Sequence, residues 1–411
     1  MCNLNNKSCQ VCNSRELQLA YKCPLMPLGG QLLSVEDEFS PEVFYPLHYV
    51  ICNNCSTFQS IETIPDELLE SENTYISETS KQVIDRDYTV FCEIMDNMKL
   101  NDNSFVIEIG GSVGIFLNYF LNKNIQVMNI EPVKKASIIS QQKGIETAST
   151  FFDKEIATSI SISKGRSDLI IAKHVLELVP NLHLFIENLK IVLAKNGRVM
   201  MEVPYIKNLL KGNFYDILAH LRKYHFSMTG LNKLFEMNGL AIETVIQYSS
   251  LGGGLRFYAG WKNEITVSQS VKKLLYQEKQ EGITELSFYN NLQNKGLSLK
   301  RELLRILDPI KNKNKRIAGY GAGIKASALL NFCGLDSRYL EFLVDNGKHK
   351  QGKIMPGVRL PIYSSSKIDH SIDYILLLAW LHKDEIIESL QMYVKNGGKI
   401  IIPTPEVYIV E

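Results

Sequence analysis

Two pairs of cysteines stand at metal-ligand spacing, Cys9-Gln10-Val11-Cys12 and Cys52-Asn53-Asn54-Cys55. Each C-x-x-C knuckle sets two thiolates on one tight turn, and two knuckles complete a tetrahedral zinc site. Four thiolates leave no open coordination position, so the expected zinc is structural. A redox C-x-x-C is normally single and opens a helix beside a strand, which favours the metal here. The 39 residues between Cys12 and Cys52 must fold back to close the tetrahedron, giving a small metal-pinned lobe. Cys2, Cys23, Cys92 and Cys333 are unpaired in sequence and read as ordinary small residues.

A second stretch with chemistry is Glu108-Ile109-Gly110-Gly111-Ser112-Val113-Gly114, which follows the mainly apolar Ser104-Phe105-Val106-Ile107. The pattern predicts a strand, a glycine loop, a helix over 115–121 and a second strand over 125–130 ending at Glu131. Glycines at 110, 111 and 114 let the backbone approach a ligand, and Glu131 stands where a carboxylate accepts both ribose hydroxyls. A dinucleotide loop needs G-x-G-x-x-G to meet a pyrophosphate. Ser112 takes the place of the second glycine and position 115 is isoleucine, so S-adenosylmethionine fits better than NAD. The candidate cofactor contacts are Glu108, Gly110, Gly111, Gly114, Glu131 and Lys173.

These residues need a scaffold, and the pattern supplies one. Asp168–Lys173 reads as another strand, His183–Leu193 as a helix stopped by Asn196-Gly197, and Arg198–Pro204 as a further buried strand. Alternating strands and helices make a doubly wound α/β domain. Amphipathic segments around Val271–Leu275 and Leu299–Leu307 read as connecting helices. After them Arg316–Ala326, with glycines at 319, 321 and 323, and Leu343-Val344-Asp345 form a second Rossmann-like unit. The expected organisation is a zinc lobe over 1–70, an S-adenosylmethionine-binding α/β domain over 71–262, a helical connector over 263–310 and a C-terminal Rossmann-like domain over 311–411.

Composition bounds the partners. Lys+Arg 45 against Asp+Glu 44 leaves a formal net charge of +1, so no field of one sign favours nucleic acid or an anionic membrane. No apolar run approaches a membrane span, and the opening residues lack the apolar core of a secretory signal. A cytoplasmic protein with a small-molecule partner is expected.

EIGGSVG, NIEP, AKHVLELVPNLHLFIENLKIVLAKNGRVMMEVPY and GGGLRFYA together resemble the S-adenosylmethionine-dependent C-methyltransferases that act on nucleotide-linked deoxysugars. The resemblance extends to the four-cysteine lobe and to GYGAGIKASALLN and GGKIIIPTPEV near the end. It implies a class I methyltransferase domain flanked by a zinc lobe and a Rossmann-like domain that helps enclose a sugar nucleotide; a purely structural last domain is the alternative. It implies too that a base removes the acidic proton beside a ketone and that the enolate takes the methyl group. The family's base region reads Tyr-His-Glu-His-Phe-Ser, and Arg222-Lys223-Tyr224-His225-Phe226-Ser227 stands there, so the resemblance points to His225 as the base, with Tyr224 beside it and His220 one turn back. Tyr75 aligns with a tyrosine near the reacting sugar, where it either donates to the enolate or packs against the cofactor. Gly253, Gly254, Arg256 and Lys325 are the expected substrate contacts. The family's His-Gly-Gly-Ser-Leu-Arg has become Leu251-Gly252-Gly253-Gly254-Leu255-Arg256, and Leu178 occupies the place of a common histidine. These losses of polar groups point to a different acceptor or reaction. A nicotinamide-dependent reductase or isomerase on the same scaffold, or a cofactor-binding homologue without turnover, are the alternatives.

Overall fold

The computed structural model describes residues 7–62, 64, 81–213 and 215–411. Strands β1 (Leu17–Lys22), β2 (His48–Cys52) and β3 (Phe58–Ser60) form an antiparallel meander that places Leu17 opposite Cys52. The long segment between the knuckles thus returns as expected, but its middle does not stay within the lobe. Leu33 bridges to Ile354, and the Arg359 guanidinium donates to the carbonyls of Asp37, Glu38 and Ser40.

The central sheet contains β4 (Phe105–Ile109), β5 (Gln126–Ile130), β6 (Glu146–Ala148), β7 (Ser167–Lys173) and β8 (Leu193–Pro204). After the short strand β9 (Tyr224–His225) it is completed by β10 (Leu240–Tyr248) and β11 (Gly254–Trp261). The order is β10-β11-β8-β7-β4-β5-β6. Pairs from β6 through β8 are parallel, and β11 runs antiparallel to both β8 and β10. Leu169, Ile170, Ile171 and Ala172 are wholly buried, as a parallel strand with both faces covered requires. From β4 the chain runs outward through β5 and β6 and then crosses back to β7 on the other side of β4, so the carboxyl ends of β4 and β7 flank the crevice where ligands bind in such sheets.

Helices α1 (Lys81–Met98), α2 (Ile115–Leu121), α3 (Lys134–Gln142), α4 (Lys154–Ser163) and α5 (Leu182–Val192) cover this sheet. Local chemistry starts two of them: Asp153 accepts from the Ile156 N–H and Asn181 from the Leu184 N–H. Helix α5 ends at Val192 rather than at Asn196-Gly197. Leu193 already pairs with Ser167 while Arg198 pairs with Leu169, so residues 194–197 are looped out of the ladder. A Cβ on Gly197 would lie 2.7 Å from the Ser167 carbonyl; the glycine serves this close approach, not a helix cap.

Strand β9 joins neither neighbour in sequence. It pairs with β3, Phe58 opposite His225, and so extends the sheet of the N-terminal lobe. Two amphipathic helices, one at Gln269–Gln280 and one at Leu292–Asn312, lead to the last sheet. That sheet holds β12 (Ile317–Tyr320), β13 (Leu343–Val344), β14 (Ile362–Tyr363), β15 (Tyr374–Leu377), β16 (Lys399–Ile402) and β17 (Tyr408–Val410) in the order β14-β13-β12-β15-β16-β17. All its pairs are parallel except β16 with β17. The whole is α/β, a Rossmann-like seven-stranded sheet between a cysteine-bearing lobe and a second Rossmann-like sheet. Among the described residues no helix is long and apolar enough to cross a membrane.

Candidate active site and zinc centre

The four knuckle sulfurs converge: Cys9, Cys12, Cys52 and Cys55 offer ligand atoms all within 4.8 Å of one another. Cys9 Sγ is 3.4 Å from Cys55 Sγ, and Cys12 Sγ is 3.5 Å from Cys52 Sγ. A zinc tetrahedron with bonds of about 2.3 Å has edges of about 3.8 Å, so the set fits zinc with small adjustment. Gln59 Nε2 donates to Cys9 Sγ at 3.1 Å, and the Val11 N–H donates to the same sulfur at 3.4 Å; both bonds favour thiolate. His183 of α5 donates from Nε2 to the Val11 carbonyl at 2.8 Å, tying the first knuckle to the central domain.

Between β4 and α2, Gly110 and Gly114 take φ of +69° and +74°. A Cβ on Gly110 would stand 2.7 Å from Val175 Cγ2, so the turn after β7 lies directly against this loop. Glu131, at the end of β5, accepts from the Ser112 N–H and the Val133 N–H, 2.8 Å each. Each of its oxygens keeps a lone pair for a ribose hydroxyl. Asn129, inside β5, holds the loop from below, accepting from the Gly111 N–H at 3.2 Å and donating to the Ser112 carbonyl at 3.0 Å. Glu108 is buried under the loop, which pushes its pKa up to about 7 although Lys173 opposes this.

Lys173 itself bonds Asp87 at 2.7 Å, stands 3.7 Å from Glu108 and lies 3.8 Å over the Phe116 ring. Beside it Glu202, wholly buried, is bonded by Arg86 and, at 2.8 Å, by Arg256. Burial alone would raise the Glu202 pKa; the two guanidinium groups outweigh it and hold the carboxylate below its usual range. Arg256 also bonds Glu93 at 2.9 Å. Arg256, expected to contact substrate, here spends its charge on two carboxylates inside the fold. The glycines before it have a packing role as well. A Cβ on Gly253 would meet Asn208 Nδ2 at 2.2 Å, and one on Gly254 would meet the Tyr248 hydroxyl at 2.3 Å.

His225 also differs from expectation. Its ring is 1% exposed, its centroid lies 5.3 Å from that of Tyr49 and 5.8 Å from that of Phe58, and neither nitrogen has a hydrogen-bond partner among the described residues. Burial, with Arg222 nearby, lowers its pKa to about 3. As folded here it is a packed ring in the extended lobe sheet, not a group open to a ligand. Tyr224 is buried too, stacked on Phe226 with its hydroxyl 3.4 Å from the Pro180 carbonyl. His220 donates from Nε2 to the Pro46 carbonyl at 3.1 Å. Tyr75 lies outside the described residues. Lys325, at the start of the helix Ile324–Cys333, is half-buried 5.2 Å above the Trp380 ring, and desolvation brings its pKa down to about 8 against the pull of Asp216.

Sequence reasoning missed the turn after β7. His174 follows the last residue of that strand with φ of +57°, and Glu177 lies wholly buried beneath it. Glu177 Oε1 is 3.0 Å from Arg222 Nη1 and 3.5 Å from His174 Nδ1. Burial would raise Glu177, but His174 and Arg222 bring it below its usual range. No local motif marks this set, because Arg222 arrives from 45 residues away. Asn129 and Glu202 did carry a signal: each is a polar residue flanked by apolar ones within its strand, Val127-Met128 and Ile130 in one case and Val199-Met200-Met201 and Val203 in the other.

Comparison with known proteins agrees with this arrangement. Residues 9–69 match the family model of a zinc binding domain, 85–245 that of a methyltransferase domain, and 249–405 that of a C-methyltransferase C-terminal domain. The C-methyltransferase NovU of Streptomyces niveus is 29% identical over 97% of this chain and 95% of its own. Among solved structures, magnesium protoporphyrin IX methyltransferase from Synechocystis with bound SAM is 15% identical, covering 43% of this chain and 77% of its own at a TM-score of 0.31. The PH0226 protein of Pyrococcus horikoshii is 14% identical, covering 49% of this chain and all of its own at a TM-score of 0.37. The last of the three family models takes in the C-terminal glycine loop, so that loop falls within a match to a C-methyltransferase domain. Joined in this order on one chain, with four cysteines gathered for zinc, the three matches show an S-adenosylmethionine-dependent methyltransferase with an N-terminal zinc-binding domain, similar along nearly its whole length to a C-methyltransferase.

Proposed function

We propose that this enzyme, acting in the cytoplasm, methylates a carbon next to the ketone of a nucleotide sugar or a related activated small molecule, through an enolate. The observation that supports this best is the contact between the glycine loop and the turn after β7, with Val175 against Gly110. It sets polar side chains of that turn beside the place where an adenosyl ligand would lie. Bound S-adenosylmethionine supplies an electrophilic methyl group. The chain would hold it through the Gly110, Gly111 and Gly114 backbone and the Glu131 carboxylate, with Glu108 and Lys173 fixing the loop from beneath. Lys325, a half-buried cation on the neighbouring domain, is the proposed contact for an anionic part of the acceptor.

The test is incubation with S-adenosylmethionine and a panel of nucleoside diphosphate keto sugars, followed by mass spectrometry. Gain of one methyl on carbon, with release of S-adenosylhomocysteine, is expected. Cofactor binding without methyl gain or proton exchange on any ketone would overturn the proposal and leave a homologue without turnover.

A further inference from the structure

We propose that His174 is the base that removes the proton from the carbon to be methylated, with Glu177 and Tyr248 as its positioning residues. This rests on the reading that the acceptor is a ketone with an acidic neighbouring C–H.

Of the four histidines between residues 81 and 262, three are committed elsewhere. His183 bonds Asn238 and the Val11 carbonyl, His220 bonds the Pro46 carbonyl, and His225 is enclosed by Tyr49 and Phe58. His174 alone among them stands at the carboxyl end of a central parallel strand, next to Val175, whose side chain touches the cofactor loop. Its side chain is 35% exposed, so solvent and substrate can reach it. The left-handed backbone is costly for a residue with a Cβ, and such strain concentrates at functional positions.

Its two nitrogens face different partners. Nδ1 is 3.5 Å from the Glu177 carboxylate and Nε2 is 3.5 Å from the Tyr248 hydroxyl. Contacts of this length tighten when a ligand closes the site. Glu177 orients the ring with hydrogen on Nδ1, so Nε2 carries the electron pair, which faces the Tyr248 hydroxyl until the acceptor C–H takes that place. Arg222 in turn fixes Glu177. The room for Tyr248 comes from Gly254, where any Cβ would strike its hydroxyl.

In the step, the acceptor C–H bond breaks, its proton goes to Nε2, and its electron pair moves into the enolate. That pair then forms the carbon–methyl bond as the methyl–sulfur bond breaks and leaves its electrons on sulfur. The imidazolium formed sits beside the Glu177 carboxylate and returns its proton to water through its exposed side.

Glycine is at ease at φ of +57°, so His174→Gly removes the ring without straining the turn. The measurement is exchange of the acceptor proton with deuterated water, using thymidine diphosphate-4-keto-6-deoxyglucose as probe and S-adenosylhomocysteine bound. Loss of a base is worth roughly 100- to 10,000-fold, and the expected result is a fall of that size with cofactor affinity retained. Added imidazole should restore exchange in proportion to its concentration, which a merely structural histidine would not allow. Exchange in the variant within about threefold of wild type, or a loss that imidazole does not rescue, overturns the assignment alone. A wild-type enzyme that binds the probe but exchanges nothing overturns the ketone reading and the assignment with it.

Discussion

Replacing His225 by phenylalanine separates packing from chemistry at the position that the family resemblance selects. Phenylalanine keeps an aromatic ring between Tyr49 and Phe58 and removes two buried nitrogens that lack partners. An unsatisfied buried polar group costs about 1–3 kcal/mol, so the variant should be more stable than wild type by an amount in that range at neutral pH. Acid should widen the gap. The folded ring resists protonation to about pH 3, whereas the unfolded ring takes up a proton near 6.5. Between those values the unfolded chain binds more protons, so lowering the pH through the window weakens the wild-type fold by about 1.4 kcal/mol per unit. At pH 5 this adds about 2 kcal/mol to the variant's advantage. Urea unfolding of both proteins at pH 7.5 and pH 5 measures it, and loss of zinc in acid cancels because it is common to both. Equal pH dependence in the two proteins would mean that the ring protonates within the fold, which would return His225 to the list of candidate bases.

Three more outcomes are expected. Protein purified without chelator should contain one equivalent of zinc by metal analysis, and Cys52→Ser should lower the melting temperature of the N-terminal lobe while cofactor affinity changes less. Glu131→Ala removes a charged acceptor worth on the order of 1.5–3 kcal/mol, so calorimetry should find S-adenosylmethionine binding at least tenfold weaker, and NADH should not bind this loop. Gly110→Ala puts a Cβ 2.7 Å from Val175 Cγ2 on a backbone at φ +69°, which should weaken cofactor binding about tenfold; adding Val175→Ala should recover part of that, and no recovery would argue against the contact.

What could be read in the sequence was local. Each zinc knuckle presents its two thiolates within four residues, so only the meeting of the knuckles depends on tertiary structure. The β4–loop–α2–β5 unit was equally legible, because an apolar run, glycines at a turn and a terminal acid are neighbours in the chain. What the chain does not show locally is the influence of partners that lie far away. Arg256 looks like a ligand contact until Glu202 and Glu93, 54 and 163 residues distant, take its guanidinium. His225 looks like a base until β9 turns away from the central sheet to pair with Phe58 of the lobe. Asn196-Gly197 looks like a helix stop until Ser167 claims Leu193 for the ladder.

The same distance effect changes the meaning of the departures from the family pattern. Taken along the chain, Tyr224, Leu178 and Leu251 are losses of polar groups, and Arg222 is an exchange of one polar residue for another. In space, Arg222 is one side of an ion pair with Glu177, and Glu177 lies against His174 in the turn that touches the cofactor loop. An arginine placed there without Glu177 would leave a half-buried cation unpaired, and Glu177 without Arg222 would leave a wholly buried carboxylate facing only the histidine. Breaking a buried pair by removing one partner costs about 3–5 kcal/mol, so the two residues stand or fall together. Arg222→Tyr alone should therefore destabilise the protein, and Arg222→Tyr with Glu177→Ala should restore most of that loss. If the double variant regains stability but exchanges no acceptor proton, the pair positions His174. If it exchanges as wild type does, the pair is structural and His174 works without it.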